Sequence, residues 1–153
     1  MKKLLMISAL LLVGALSVCA QTYYYKYICT VDENGVRSKS GDYSKYLTFT
    51  NNKGVVYESD RNGNALTQKS FVDYHEYQCI YNYIGSENGI LKYKQKDVTY
   101  IDILGKTKTH KGTTILLFSS DYKRLNMRIS SNCTIVLELV NPSEKDDAPT
   151  QLY

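Results

Sequence analysis

Four turn sequences punctuate the chain: Asp32-Glu33-Asn34-Gly35, Asn52-Lys53-Gly54, Asp60-Arg61-Asn62-Gly63 and Glu87-Asn88-Gly89. Asn and Gly tolerate the positive φ of tight hairpin turns, so such sequences between β-rich runs signal hairpins. The intervening runs, 23–31, 46–51, 55–59, 71–84, 90–104, 113–119, 127–130 and 134–140, favour β-branched and aromatic residues. No proline interrupts them, and none has a capped helical period. The expected fold is all-β: an antiparallel meander of about eight strands, closed as a small barrel or packed as a two-layer sandwich. The short linkers favour the barrel, and the strand count admits a lipocalin-like shape.

The first twenty residues differ in composition. Lys2 and Lys3 precede an apolar stretch from Leu4 to Leu16, and Ser17-Val18-Cys19-Ala20 follows. A positive start, a short apolar stretch and a small-residue exit make up a secretory signal peptide, with cleavage expected between Ala20 and Gln21. The stretch is shorter than the ~20 residues of a membrane-spanning helix. Lipidation of Cys19 is the alternative, with Val18 a poor match to the small residue such a signal requires. Residues 141–153 hold both prolines with Glu144, Asp146 and Asp147, and read as a disordered tail. A single β domain over residues 21–140 remains.

Setting Lys2 and Lys3 aside leaves 17 basic against 15 acidic residues. That balance argues against nucleic acid as a partner. With 15 Tyr, 3 Phe and no Trp, tyrosine must supply the aromatic packing. In the run 71–84, Phe71, Asp73, His75, Tyr77, Cys79, Tyr81 and Tyr83 share one face and Glu76, Gln78 and Asn82 the other. The aromatic face should point inward. If it surrounds a cavity, Tyr77, Tyr81 and Tyr83, with His75, are the candidate ligand contacts. In the run 90–104, a bulge near Lys96–Val98 would reconcile Lys92, Lys94 and Lys96 with Val98, Tyr100 and Leu104 on one face.

Cys29, Cys79 and Cys133 allow at most one internal disulfide. In an oxidising compartment one bridge is plausible, although small core residues are the plainer role for all three. His75 and Cys79 lie about 13 Å apart along one strand, too far for a nucleophile pair. His110, within Lys106-Thr107-Lys108-Thr109-His110-Lys111-Gly112, reads as part of an exposed basic hairpin loop. Glu58, Asp60, Asn62 and Gly63 imitate half a calcium loop, but Lys69 stands where the closing Glu is needed. No metal site, phosphate loop, dinucleotide fingerprint or hydrolase motif is present, so no catalytic residue and no cofactor are expected.

The leader ending in Ala20-Gln21, the Tyr57-Glu58-Ser59-Asp60-Arg61-Asn62-Gly63 turn and the Phe118-Ser119-Ser120-Asp121-Tyr122-Lys123-Arg124-Leu125-Asn126 segment resemble small secreted proteins of unknown function from Gram-negative anaerobic bacteria. The resemblance implies a cell-envelope location, periplasmic or secreted, and carries no activity. The expectation is a noncatalytic binding module for a glycan, a small apolar molecule or an envelope protein. A structural or assembly role and an extracytoplasmic hydrolase are the alternatives.

Overall fold

The computed structural model describes residues 19–39, 46–70 and 74–141. The expected leader up to residue 18, the expected tail from residue 142, and Phe71 and Asp73 lie outside the described residues. The strands are β1 (Gln21–Val31), β2 (Arg37–Ser38), β3 (Tyr46–Asn52), β4 (Val55–Glu58), β5 (Thr67–Lys69), β6 (Glu76–Gln78), β7 (Ile80–Glu87), β8 (Ile90–Gln95), β9 (Val98–Ile101), β10 (Thr107–His110), β11 (Ile115–Ser119), β12 (Arg124–Ser130) and β13 (Cys133–Leu139). Among the described residues no helix is long and apolar enough to cross a membrane.

Eight strands form a closed antiparallel barrel in the order β1, β3, β4, β7, β8, β11, β12, β13. The β1–β13 ladder closes it, setting Tyr25 opposite Leu139 and Val31 opposite Thr134. The barrel, rather than the sandwich, is therefore the form adopted. The short β2 adds to β1 beyond the point where β3 leaves it. Two ribbons, β5–β6 and β9–β10, are inserted into the meander as separate two-stranded sheets.

Turn chemistry accounts for the tightest hairpins. Lys53 and Gly54 join β3 to β4 at φ 54° and 85°, and Asn88 and Gly89 join β7 to β8 at 50° and 75°. Two consecutive positive φ values suit a two-residue hairpin whose twist matches its strands. Asp60 works differently: its Oδ1 accepts the amides of Asn62 and Asn64, so the side chain closes the loop after β4.

Alternation along each strand fills the interior. Tyr25, Phe49, Val56, Tyr81, Tyr93, Leu116, Phe118, Leu125 and Leu137 are all buried there. An eight-stranded barrel is just wide enough for side chains to fill or for one small ligand. One end is filled. Tyr23 stacks on Tyr122 at 4.6 Å, and the Tyr122 hydroxyl meets those of Tyr93 and the amide of Asn51. The Tyr25 hydroxyl donates to the Tyr122 carbonyl at 2.7 Å, satisfying a buried donor.

Several sequence expectations are corrected. The runs 71–84 and 90–104 are not single strands. The first breaks at Cys79 between β6 and β7, the second at Lys96 and Asp97 between β8 and β9, close to where a bulge was expected. Inward alternation nevertheless carries across the first break, leaving Cys79 and Tyr81 buried and Glu76, Gln78 and Asn82 exposed. The expected basic loop 106–112 is largely strand β10; the turn lies earlier, where the Asp102 carboxylate accepts the amides of Leu104 and Lys106. Cys29, Cys79 and Cys133 are all thiols. Cys29 stands opposite Val136, three ladder positions from Cys133, or roughly 10 Å along the sheet, beyond disulfide reach. Cys79 faces the barrel interior.

Candidate functional site

The end of the barrel opposite the tyrosine plug is not filled. A cavity of about 340 Å³ lies there, lined by Leu47, Met127, Ile129, Ile135 and Leu137 on one side and by a polar group on the other. That polar group is Glu58, Gln68, Cys79, Tyr81, Gln95 and Thr114. The volume falls at the small end of the range for ligand sites.

Glu58 sits at its centre. It ends β4 and shares the inward face of Val56, two residues earlier. Its side chain is buried, at 6 % exposure. Oε1 accepts the Tyr81 hydroxyl at 3.0 Å and Oε2 accepts the Gln68 amide at 2.5 Å. Gln68 belongs to the β5–β6 ribbon, so the ribbon's position determines half of the carboxyl's environment. No Lys or Arg lines the cavity among the described residues. Burial without a counter-charge raises the Glu58 carboxyl above the usual range, although the hydrogen bonds from Tyr81 and Gln68 oppose the shift. Cys79 lies beside it, 3.6 Å from the Gln95 amide nitrogen. Its thiol is pushed up to about 12, first by burial and then by the Glu58 charge. A thiol so held is protonated at neutral pH and a poor nucleophile.

Each ribbon contributes one ring to the lining, Tyr77 from β6 and His110 from β10. These rings stack at 4.7 Å, and His75 stacks on Tyr100 at 3.7 Å. The four rings clasp the two ribbons together at the cavity. Both ring nitrogens of His75 are out of contact with solvent and have no hydrogen-bond partner among the described residues. Behind the cavity, the segment from Lys111 to Thr114 crosses the end of β8. The Gly112 amide donates to the Asp97 carboxylate at 2.9 Å, and the Gln95 amide donates to the Thr114 carbonyl at 2.9 Å.

Of the sequence candidates, Tyr77 and Tyr81 line the cavity. His75 supports Tyr77, at 5.4 Å between rings, without lining it. Tyr83 lies on the far side of Tyr81, paired with Tyr93 in the ladder and 47 % exposed, away from the cavity. Ala20 immediately precedes β1, Gln21 opens it, and Cys19 is exposed. In the sequence Glu58 falls within an incomplete calcium-loop pattern and a turn segment, neither of which marks it as a cavity residue. The signal that would have found it is its two-residue offset from Val56 on a strand whose inward face is otherwise apolar. Among the described residues no cluster of His, Cys, Asp and Glu is arranged to hold a metal ion. No family model, no curated protein and no solved structure matches this chain.

Proposed function

We propose that this protein is a noncatalytic, exported β-barrel that holds a small, largely apolar molecule in its mouth. The observation that carries the reading is the partly filled barrel: one end is plugged by Tyr23, Tyr93 and Tyr122, while the other keeps a cavity of about 340 Å³ with aliphatic walls. Packed interiors leave few voids larger than a water molecule, so an apolar space of this size favours an occupant. A single carboxyl among the lining side chains and a protonated Cys79 supply neither a carboxylate pair nor an activated nucleophile. The leader-like first twenty residues support export to the periplasm, cell envelope or exterior.

The uncharged dye N-phenyl-1-naphthylamine tests the cavity. Its fluorescence is expected to rise saturably with one site per chain. Ile129→Trp, which fills the cavity from β12, is expected to abolish the rise while leaving the far-ultraviolet circular dichroism unchanged. An absent rise, or one indifferent to Ile129→Trp, rejects the cavity as a binding site.

One observation favours an assembly role as a second reading. Ile101, Ile103 and Leu104, at the tip of the β9–β10 ribbon, are 72, 86 and 74 % exposed. Adjacent exposed apolar side chains mark contact surfaces. Under this reading the purified chain self-associates with rising concentration in sedimentation, and an Ile103→Ser/Leu104→Ser variant stays monomeric. A wild type that remains monomeric throughout removes the reading.

A further inference from the structure

We infer that the cavity selects an organic cation, a small molecule with a protonated amine on an apolar body, by pairing the amine with Glu58. This rests on the cavity being a ligand site. Three features of the lining point to a positive head group. Glu58 presents the only carboxylate among the lining residues, and no Lys or Arg among them neutralises it. Its oxygens meet only neutral donors, Tyr81 at 3.0 Å on Oε1 and Gln68 at 2.5 Å on Oε2, with the Cys79 thiol as a third. A carboxylate offers about four lone-pair sites, so acceptor capacity remains. The rings of Tyr27, Tyr77 and Tyr81 line the same space, and tyrosine rings attract cations that approach their faces.

The rest of the lining suits the apolar body of such a molecule. Leu47, Met127, Ile129 and Ile135 offer it no hydrogen-bond partner. An anionic ligand would meet Glu58 with no cation to receive it. A neutral alcohol would gain the apolar contacts but not the ion pair. An ammonium supplies the counter-charge that the buried carboxyl lacks, and a charge-assisted hydrogen bond out of solvent is stronger than a neutral one.

Proton linkage gives the pairing a second signature. Burial holds Glu58 toward its neutral form, so an arriving ammonium must displace the carboxyl proton. Amine affinity should therefore rise with pH until the free protein ionises Glu58 on its own. Tyr27, Tyr77, Cys79, Tyr81 and His110 are the other titratable groups lining the cavity.

Calorimetric titration of the intact protein with 2-phenylethylamine, 2-phenylethanol and 3-phenylpropanoate tests the inference, because these differ mainly in head group. The amine is expected to bind at least about tenfold more tightly than the alcohol at pH 8, the worth of one charge-assisted bond. The carboxylate is expected to bind most weakly. Glu58→Gln should bring amine and alcohol to comparable affinity and remove the pH dependence of amine binding. Equal affinity for amine and alcohol in the wild type overturns the inference but leaves the cavity as a binding site. A pH dependence that survives Glu58→Gln belongs to another group and also overturns it. If none of the three binds and N-phenyl-1-naphthylamine also fails, both the inference and the cavity reading fall.

Discussion

Gly112→Ala is expected to destabilise the protein by about 3 kcal/mol, at the upper end of overpacking costs. A Cβ on Gly112 would lie 2.3 Å from the Gln95 carbonyl oxygen and 2.9 Å from that of Lys96. Both obstacles are backbone, so no side-chain rotation relieves them. The segment must lift away from the end of β8, lengthening the bond from the Gly112 amide to Asp97 and the bond from the Gln95 amide to Thr114. For a domain of this size the melting temperature should fall by roughly 10 °C. Gly105→Ala is the comparison. Gly105 has a φ of 74° but nothing within 4 Å of the added carbon, so only the backbone cost of about 1 kcal/mol applies. The displaced segment carries Thr113, Thr114 and, just before it, His110, so Gly112→Ala should also weaken dye binding at temperatures where the variant is still folded. Equal melting temperatures for Gly112→Ala and the wild type would mean that the two backbones are not in close approach.

Glu58→Gln is expected to stabilise the folded state at neutral pH. The native carboxyl is raised above its unfolded value, mainly by burial. The native state therefore holds its proton more tightly than the unfolded chain does. The stability this contributes is complete below the unfolded carboxylate range and declines as pH rises through the native value. Each unit of displacement is worth about 1.4 kcal/mol. Urea unfolding at pH 5 and pH 8 should show the wild type losing stability between the two, with Glu58→Gln losing less and exceeding the wild type at pH 8. Groups common to both proteins cancel in the comparison. Five other carboxylates act in the opposite sense at lower pH. Asp60, Glu87, Asp97, Asp102 and Asp121 are held below their usual range by nearby donors, with Lys partners at all but Asp60. Their contribution is present above the unfolded range and is lost as the solution becomes more acid. Parallel pH profiles for the wild type and Glu58→Gln would remove the claim that the buried carboxyl carries the dependence.

Much of the barrel was legible because its signals are local. The Asn-Gly turns and the alternation of Tyr77, Cys79 and Tyr81 each depend on a few neighbouring residues, and the structure preserves both. The ribbons were not legible. Strand propensity records that residues 76–87 and 90–101 suit a pleated surface, not which sheet they join. The chain therefore rejoins the barrel at Cys79 and leaves it at Lys96 without a change in composition. His110 was misplaced for the same reason: a lysine-rich sequence reads as a loop, yet Thr107 and Thr109 support a strand once Ile101 and Thr99 lie opposite. Glu58 was hidden by its charge. A carboxyl on an inward position contradicts the polar-out rule, and the exception became visible only once Tyr81 and Gln68 were found to donate to it. Tyr83 shows the converse limit. Alternation gives a residue's face but not its height along the barrel, and height separates the cavity from the plug.

The β1–β13 ladder also bears on the order in which the structure can be acquired. Every other seam of the barrel joins strands that follow one another closely or enclose a single ribbon. This seam joins the first described strand to the last. Hairpins from β3 to β12 can form while the chain is incomplete, but the cylinder cannot. Until β13 is available, β1 and β12 each keep a bare hydrogen-bonding edge and the tyrosine plug lacks a wall. Closure is therefore a late event that waits for a distant contact, the kind that makes β topologies slow to fold. The sheet that precedes it is the species most exposed to pairing with the wrong chain.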